Sequence, residues 1–253
     1  IKKFESNWHS IHNKGNWLAV CNATNGLEIA LRANNIGVGS KVLVPDITFA
    51  ASINAILNVG ATPLICPVDK NLLIDLDIAY NTAKKYKADA LLAVGLYNKT
   101  LSVEKLKKFS KDNISVICDW AEVNPLSKNS KEIWNSFTTV YSFFANKFIT
   151  TGEGGICGFP SKKLYKTALM IRDHGMDPDK RYWHKIQGMN CRMTAFQAAL
   201  GISQLSKLDF FINDRNRIFL KYKELLSNID FIEFDNHLLN NDPPWLNNIF
   251  LLP

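Results

Sequence analysis

A chain of 253 residues, 47% hydrophobic and 21% charged, has globular composition and length for one large domain, or one domain and part of another. It holds no run of about 18 uncharged apolar residues, so no membrane-spanning helix is expected. The net charge of +7 is spread over lysines on helix faces such as 105–111. That reads as solvated surface, compatible with a basic cleft for an anionic small molecule, and no nucleic-acid partner is expected.

The chain opens on "IKKFESNWHS", with two lysines but no apolar stretch behind them, so no secretory signal is expected. It lacks an initiator Met and closes on the apolar "PPWLNNIFLLP"; both ends are expected to continue. Cys21, Cys66, Cys118, Cys157 and Cys191 are odd in number, far apart and without metal-ligand spacing. This is the pattern of buried, reduced thiols in a cytoplasmic protein.

Short apolar runs at 17–20, 41–45, 62–68, 89–96 and 114–120 read as buried strands. Between them, "NGLEIALRANN", "TFAASINAILNVG", "DLDIAYNTAKKY" and "SVEKLKKFSKD" carry helical periodicity with polar starts and Gly or Asn stops. The alternation predicts an α/β fold with a largely parallel sheet covered on both faces. Two more strands, 138–144 and 154–159, flank a turn that contains Lys147. A long helix-rich stretch follows over 192–226, and "IDFIEF" at 229–234 reads as the first strand of another domain.

Ligands of open α/β sheets sit at the carboxyl ends of the strands. Three polar segments fall there: "NATNG" after the first strand, "DWAE" after the fifth and "NKFITTGEGG" after the sixth. Asn22, Ala23 and Thr24 open a helix, either as a plain N-cap or as an anion site built from backbone N–H groups and the Thr24 hydroxyl. Asp119, at the tip of an apolar strand, is either a helix cap or a carboxylate that keeps a ring nitrogen protonated, with Glu122 just beyond it. Lys147 is either a surface lysine in a loop or a partly buried amine that ionises less readily and attacks carbonyls better. Taken together, a phosphate cradle, an acid and a lysine match pyridoxal phosphate.

At this density of motifs the chain resembles the sugar-nucleotide aminotransferases, a fold-type-I pyridoxal-phosphate family. The resemblance runs from "FESNW" to "KYKELL" through "NATNGLEIALRA", "VLVPDITFAASINAILNVGATPLICPVD", "NKFITTGEGG", "RDHGMDP" and "RYWHKIQGMNCRMTAFQAALGISQL". The last block and "NKFITTGEGG" look most like the perosamine-synthase branch, which aminates a GDP-linked 4-keto-6-deoxy sugar. The resemblance implies a three-layer α/β sandwich with a mainly parallel mixed sheet over residues 1–200. Residues 201–253 would then be a linking helix and the start of a smaller α+β domain.

It further implies that Lys147 forms the Schiff base and shuttles protons, and that Asp119 holds the pyridine nitrogen protonated. Glu122 would lie near the phenolic oxygen and Phe49 would stack on the ring. Ala23, Thr24 and Ser142 would bind the phosphate, and Asn190 would reach the phosphate of a neighbouring subunit in a homodimer. Arg181, Tyr182 and His184 would contact the nucleotide-linked keto sugar. Glutamate would be the amino donor in a ping-pong reaction.

The chain departs from the family pattern at several points. A usual His-Leu-Tyr-Gly stretch reads "GLYN", with Gly95 and Asn98 at the altered positions, and the usual Glu-Asp-Ala-Ala reads "CDWA", with Trp120 beside the acid. These departures, and a length shorter than the family's, support a second expectation: a catalytically silent paralogue kept as a binding or assembly partner.

Overall fold

Successive residues of a strand face opposite sides of a sheet, and here both sets are apolar, so two helical layers are required. The computed structural model describes residues 1–13, 15–127, 130–234, 245 and 249–251. It contains β1 (Asn16–Val20), β2 (Lys41–Pro45), β3 (Thr62–Cys66), β4 (Ala90–Val94), β5 (Ser115–Asp119), β6 (Thr138–Ser142) and β7 (Gly155–Phe159) in one sheet. Their order is β1-β7-β6-β5-β4-β2-β3. Only β7 runs against its neighbours; the other pairs are parallel.

Trp17, Ala19, Leu43, Leu91, Ala93, Cys118 and Tyr141 face one core. The residues between them, such as Leu18, Val20, Val42, Val44, Leu92, Ile117 and Val140, face the other. The first core is covered by α1 (Lys2–His12), α4 (Leu76–Tyr86), α5 (Val103–Lys111), α6 (Ser130–Ser136) and α8 (Ala195–Leu205). The second is covered by α2 (Ala23–Ala33), α3 (Ala50–Asn58) and α7 (Lys162–Arg172). The result is the three-layer α/β sandwich with a mixed, mainly parallel sheet.

The structure corrects several details. The strand at 62–66 is not buried: β3 is the sheet edge, with Thr62 and Ile65 exposed. The opposite edge strand, β1, is buried because α1 lies against it. There the Glu5 carboxylate accepts from Ala19 N at 2.9 Å and from Arg172 Nη1 at 3.3 Å. The stretch 192–226 is two helices, α8 and α9 (Leu208–Leu226). α1, α6, α7 and a hairpin of the largely buried β8 (Met176–Asp177) and the exposed β9 (Lys180–His184) were not anticipated.

The strand expected at 229–234 begins at Ile232 as β10 (Ile232–Phe234) and pairs antiparallel with β11 (Ile249–Leu251). Most of "PPWLNNIFLLP", and residues 235–244, lie outside the described residues. Among the described residues, no helix is long and apolar enough to cross a membrane. All five cysteines are free.

Candidate active site

Asp119 ends β5 at the carboxyl edge of the sheet and is 5% exposed. A carboxylate so placed needs donors, and it has two. Ser52 Oγ, fully buried on α3, donates to Oδ2 at 2.8 Å, and Ala121 N donates to Oδ1 at 3.2 Å. Thr48 and Ser52 hydroxyls lie 2.8 Å apart, extending the chain of hydrogen bonds outward. Burial still pushes the Asp119 pKa above the ordinary carboxylate range, while Ser52, the Ala121 N–H and the charge of Lys147 pull it down.

Glu122 follows in the turn after β5. The backbone at Tyr97 and Asn98 is left-handed (φ 52° and 65°), an uncommon conformation for non-glycine residues. It turns two successive N–H groups onto this residue: Tyr97 N donates to Glu122 Oε2 at 3.1 Å, and Asn98 N to the Glu122 carbonyl at 3.0 Å. Asn98 in turn accepts from Asn124 N at 2.7 Å. Burial raises the Glu122 pKa; the Tyr97 N–H and Lys147 oppose it.

Lys147 sits in a turn closed by its own N–H to the Phe144 carbonyl at 3.0 Å. Its amine is 3.7 Å from Glu122 Oε1, with both side chains almost out of solvent (12% and 13% exposed). Burial lowers the lysine pKa, and the charges of Glu122 and Asp119 raise it back in part. The pair therefore shares its charge in a poorly solvated place, where neutral amine is easier to reach than at the surface. α8 braces the turn: Gln204 Oε1 accepts from Thr150 N at 3.2 Å, and Gln197 Nε2 donates to the Glu153 carbonyl at 2.6 Å.

The start of α2 combines the two readings that the sequence left open. Asn22 is the N-cap, its side chain accepting from Asn25 N at 2.8 Å. The N–H groups of Ala23 and Thr24 are left in the first turn, where a helix offers no acceptor and favours an anion. Gly155 makes room for this turn, since a Cβ there would stand 2.9 Å from Ala23 N and 3.0 Å from Ala23 Cα. Ser142 pairs with Gly155 from one side and Val20 from the other. The helix start and the Ser142 hydroxyl therefore flank one strand.

Phe49 is the N-cap of α3, three residues before Ser52, and its ring is 74% exposed. Asn190 is exposed on the segment that bridges Asp173. Arg181, Tyr182 and His184 lie exposed on β9. Among the described residues, these three make no hydrogen bond or ion pair with Lys147, Asp119 or Glu122. The structure thus places Lys147, Asp119, Glu122, Ala23, Thr24, Ser142 and Phe49 at or just beyond the carboxyl ends of strands, and Arg181, Tyr182 and His184 on the exposed β9.

Sequence reasoning missed Ser52 and Tyr97, which hold the two carboxylates. It also missed Arg215 and Trp245, which meet the lysine turn. Ser52 had one readable signal, its spacing of one helical turn from Phe49.

The sheet order and its flanking helices define an aminotransferase-type α/β fold. The chain belongs to the DegT/DnrJ/EryC1/StrS aminotransferase family, whose profile matches residues 1–251. It is 34% identical over 233 residues to the GDP-perosamine synthase of Escherichia coli O157:H7, covering 90% of this chain and 64% of that protein. The GDP-perosamine synthase of Caulobacter vibrioides is 35% identical over 215 residues, covering 84% of this chain and 58% of that protein. Helicobacter pylori PseC, an aminotransferase involved in pseudoaminic acid biosynthesis, superposes with a TM-score of 0.86 at 25% identity, over 99% of this chain and 69% of that one. The chain spans about three-fifths of the length of these curated relatives.

Proposed function

We propose that the protein is a pyridoxal-phosphate-dependent aminotransferase that converts a nucleotide-linked keto-deoxy sugar to the amino sugar, with glutamate as donor. The observation that carries this reading is the meeting of Lys147, Glu122 and the buried Asp119 at the strand ends, where Lys147 and Glu122 are 3.7 Å apart. Likeness to GDP-perosamine synthases supports the sugar-nucleotide substrate.

The residues fit the cofactor. The Gly155 cradle leaves Ala23 and Thr24 N–H groups and the Ser142 hydroxyl for a phosphate. Asp119 is the acid for a ring nitrogen, and the exposed Phe49 ring offers a stacking face. When bound, pyridoxal phosphate supplies an aldehyde that condenses with amines and a ring that withdraws electrons.

The chain's own groups do the rest. Ser52 and Ala121 N–H partly offset the effect of burial on Asp119, and when ionised the carboxylate can keep a facing N–H protonated. Burial lowers the pKa of Lys147, which makes more of its amine available as nucleophile and as a proton carrier between neighbouring carbons. Glu122, fixed by Tyr97 N–H, forms an ion pair with the amine at 3.7 Å and orients it by charge.

We assign residues 1–200 to the cofactor-binding domain and 201–253 to the linking helix and start of a smaller domain. A homodimer that brings Asn190 to a neighbour's phosphate site is part of the reading; the exposed Phe196 ring on α8 supports a covering subunit. Arg181, Tyr182 and His184 are assigned to the sugar nucleotide, and the location is cytoplasmic. Assay with glutamate and a GDP-linked 4-keto-6-deoxy sugar tests the reading: the amino sugar forms with wild type and not with Lys147→Ala. Equal turnover in both would refute it.

A further inference from the structure

Among the described residues, Arg215 links the lysine turn to Trp245. Arg215, half-buried on α9, donates through Nη2 to the carbonyl of Lys147 itself at 2.8 Å and reaches the Asn146 carbonyl at 3.5 Å. Its Nη1 donates to the carbonyl of Trp245. The guanidinium lies 5.0 Å from the Phe148 ring centre. Among the described residues its hydrogen-bond partners are all main-chain carbonyls, so its forked geometry is used to join two chain segments rather than to neutralise an acid.

The other side of that junction is the Trp245 ring. It is 6% exposed, its centre stands 4.2 Å from Lys147 Nζ, and it lies against Tyr97 at 6.2 Å between centroids. Tyr97 is the residue whose N–H holds Glu122. The indole N–H is buried and has no acceptor among the described residues. An indole face attracts an ammonium and excludes water from it.

We propose that Arg215 and Trp245 are positioning residues: the guanidinium ties the Lys147 turn to the Trp245 backbone, and so seats the indole as a cover over the lysine amine. The inference rests on the reading of Lys147 as the reacting amine. Its structural part, the cover, stands without it. Arg215 sets where the turn and the indole sit relative to each other; Trp245 controls water access to the amine. A lysine at position 215 keeps the charge but cannot bridge both carbonyls, whereas phenylalanine at position 245 keeps most of the covering face.

The test is competitive acetylation of surface amines in the cofactor-free protein, with peptide mass spectrometry to compare Lys147 with the exposed lysines. Trp245→Ala and Arg215→Lys are expected to raise Lys147 labelling severalfold relative to wild type, with Lys84 and Lys105 unchanged as internal controls. Trp245→Phe is expected to restore protection. Equal labelling of Lys147 in wild type and Trp245→Ala would overturn the proposal, and so would failure of Trp245→Phe to protect. Repeating the wild-type labelling with pyridoxal phosphate separates the two claims. Loss of Lys147 labelling supports its role as the amine. Unchanged labelling removes that role, while the cover stands or falls on the cofactor-free series.

Discussion

Ser52 Oγ donates to Asp119 Oδ2 at 2.8 Å, linking the first turn of α3 to the tip of β5 across 67 residues of sequence. The bond opposes what burial does to the acid. Hydrogen bonds to charged groups contribute about 1.5–3 kcal/mol, so Ser52→Ala should destabilise the cofactor-free protein by about that much where Asp119 is ionised. The loss should shrink at low pH, which denaturant titrations at several pH values would show.

The sign for Asp119 itself follows from its raised pKa. The fold favours the protonated acid, so ionisation costs stability above the folded pKa and nothing below the unfolded one. Asp119→Asn should therefore melt above wild type near neutral pH, with the gap closing as the pH falls from the raised folded value down to roughly 4, where it should be gone. The same variant should lose activity by about 10²–10⁴-fold, the usual contribution of a positioned proton-transfer group. A melting gap that widens on acidification would contradict the assignment.

Gly155→Ala should push the start of α2 away from β7, because the new Cβ would stand 2.9 Å from Ala23 N, a backbone atom with little freedom. A cost of about 1–3 kcal/mol is expected for such overpacking, together with weaker binding of pyridoxal phosphate. Binding of unchanged affinity, measured by fluorescence titration, would remove the α2 start from the phosphate site.

Phe49→Ala should change the stability of the cofactor-free protein by less than about 0.5 kcal/mol, as for other exposed substitutions. Stacking is worth about 0.5–1.5 kcal/mol beyond area, so the variant should bind cofactor roughly threefold to tenfold more weakly. Calorimetric titration separates the two effects.

Much of the fold was readable because physics marks it twice: strands buried on both faces are apolar throughout, and side-chain caps such as Asp75 and Ser102 mark helix starts. α1 escaped because its apolar residues, Phe4 and Trp8, are few and its N-cap makes no side-chain bond. Lys147, Asp119 and the α2 start were readable as polar groups at strand ends. Their partners were not. Tyr97 holds Glu122 only because its backbone is left-handed, which no residue type there announces. Arg215 meets the Lys147 and Trp245 carbonyls, which carry no sequence signal, and the Trp245 ring reaches the Lys147 amine from 98 residues away in sequence.

The departures at Gly95 and Trp120 read in sequence as two losses, yet they fit one another. A Cβ at Gly95 would stand 3.2 Å from Trp120 Cδ1 and 2.4 Å from Val123 Cγ2. The indole, buried in the core beside Tyr141, fills space that a larger residue at position 95 would need. Asp119 and Glu122 keep their donors around this exchange, which favours the enzyme over the silent paralogue. Gly95→Ala should cost about 1–3 kcal/mol, and Val123→Ala should recover part of it in the double variant, as thermal melts of the four proteins would show.

The most direct measurement is the visible absorption of the purified protein with pyridoxal phosphate, before and after glutamate, in wild type and Lys147→Ala. The expected result is a yellow band in wild type that bleaches with glutamate, and no lysine-linked band in the variant. A wild-type protein that takes up no cofactor, or a band identical in the variant, would contradict the role given to Lys147.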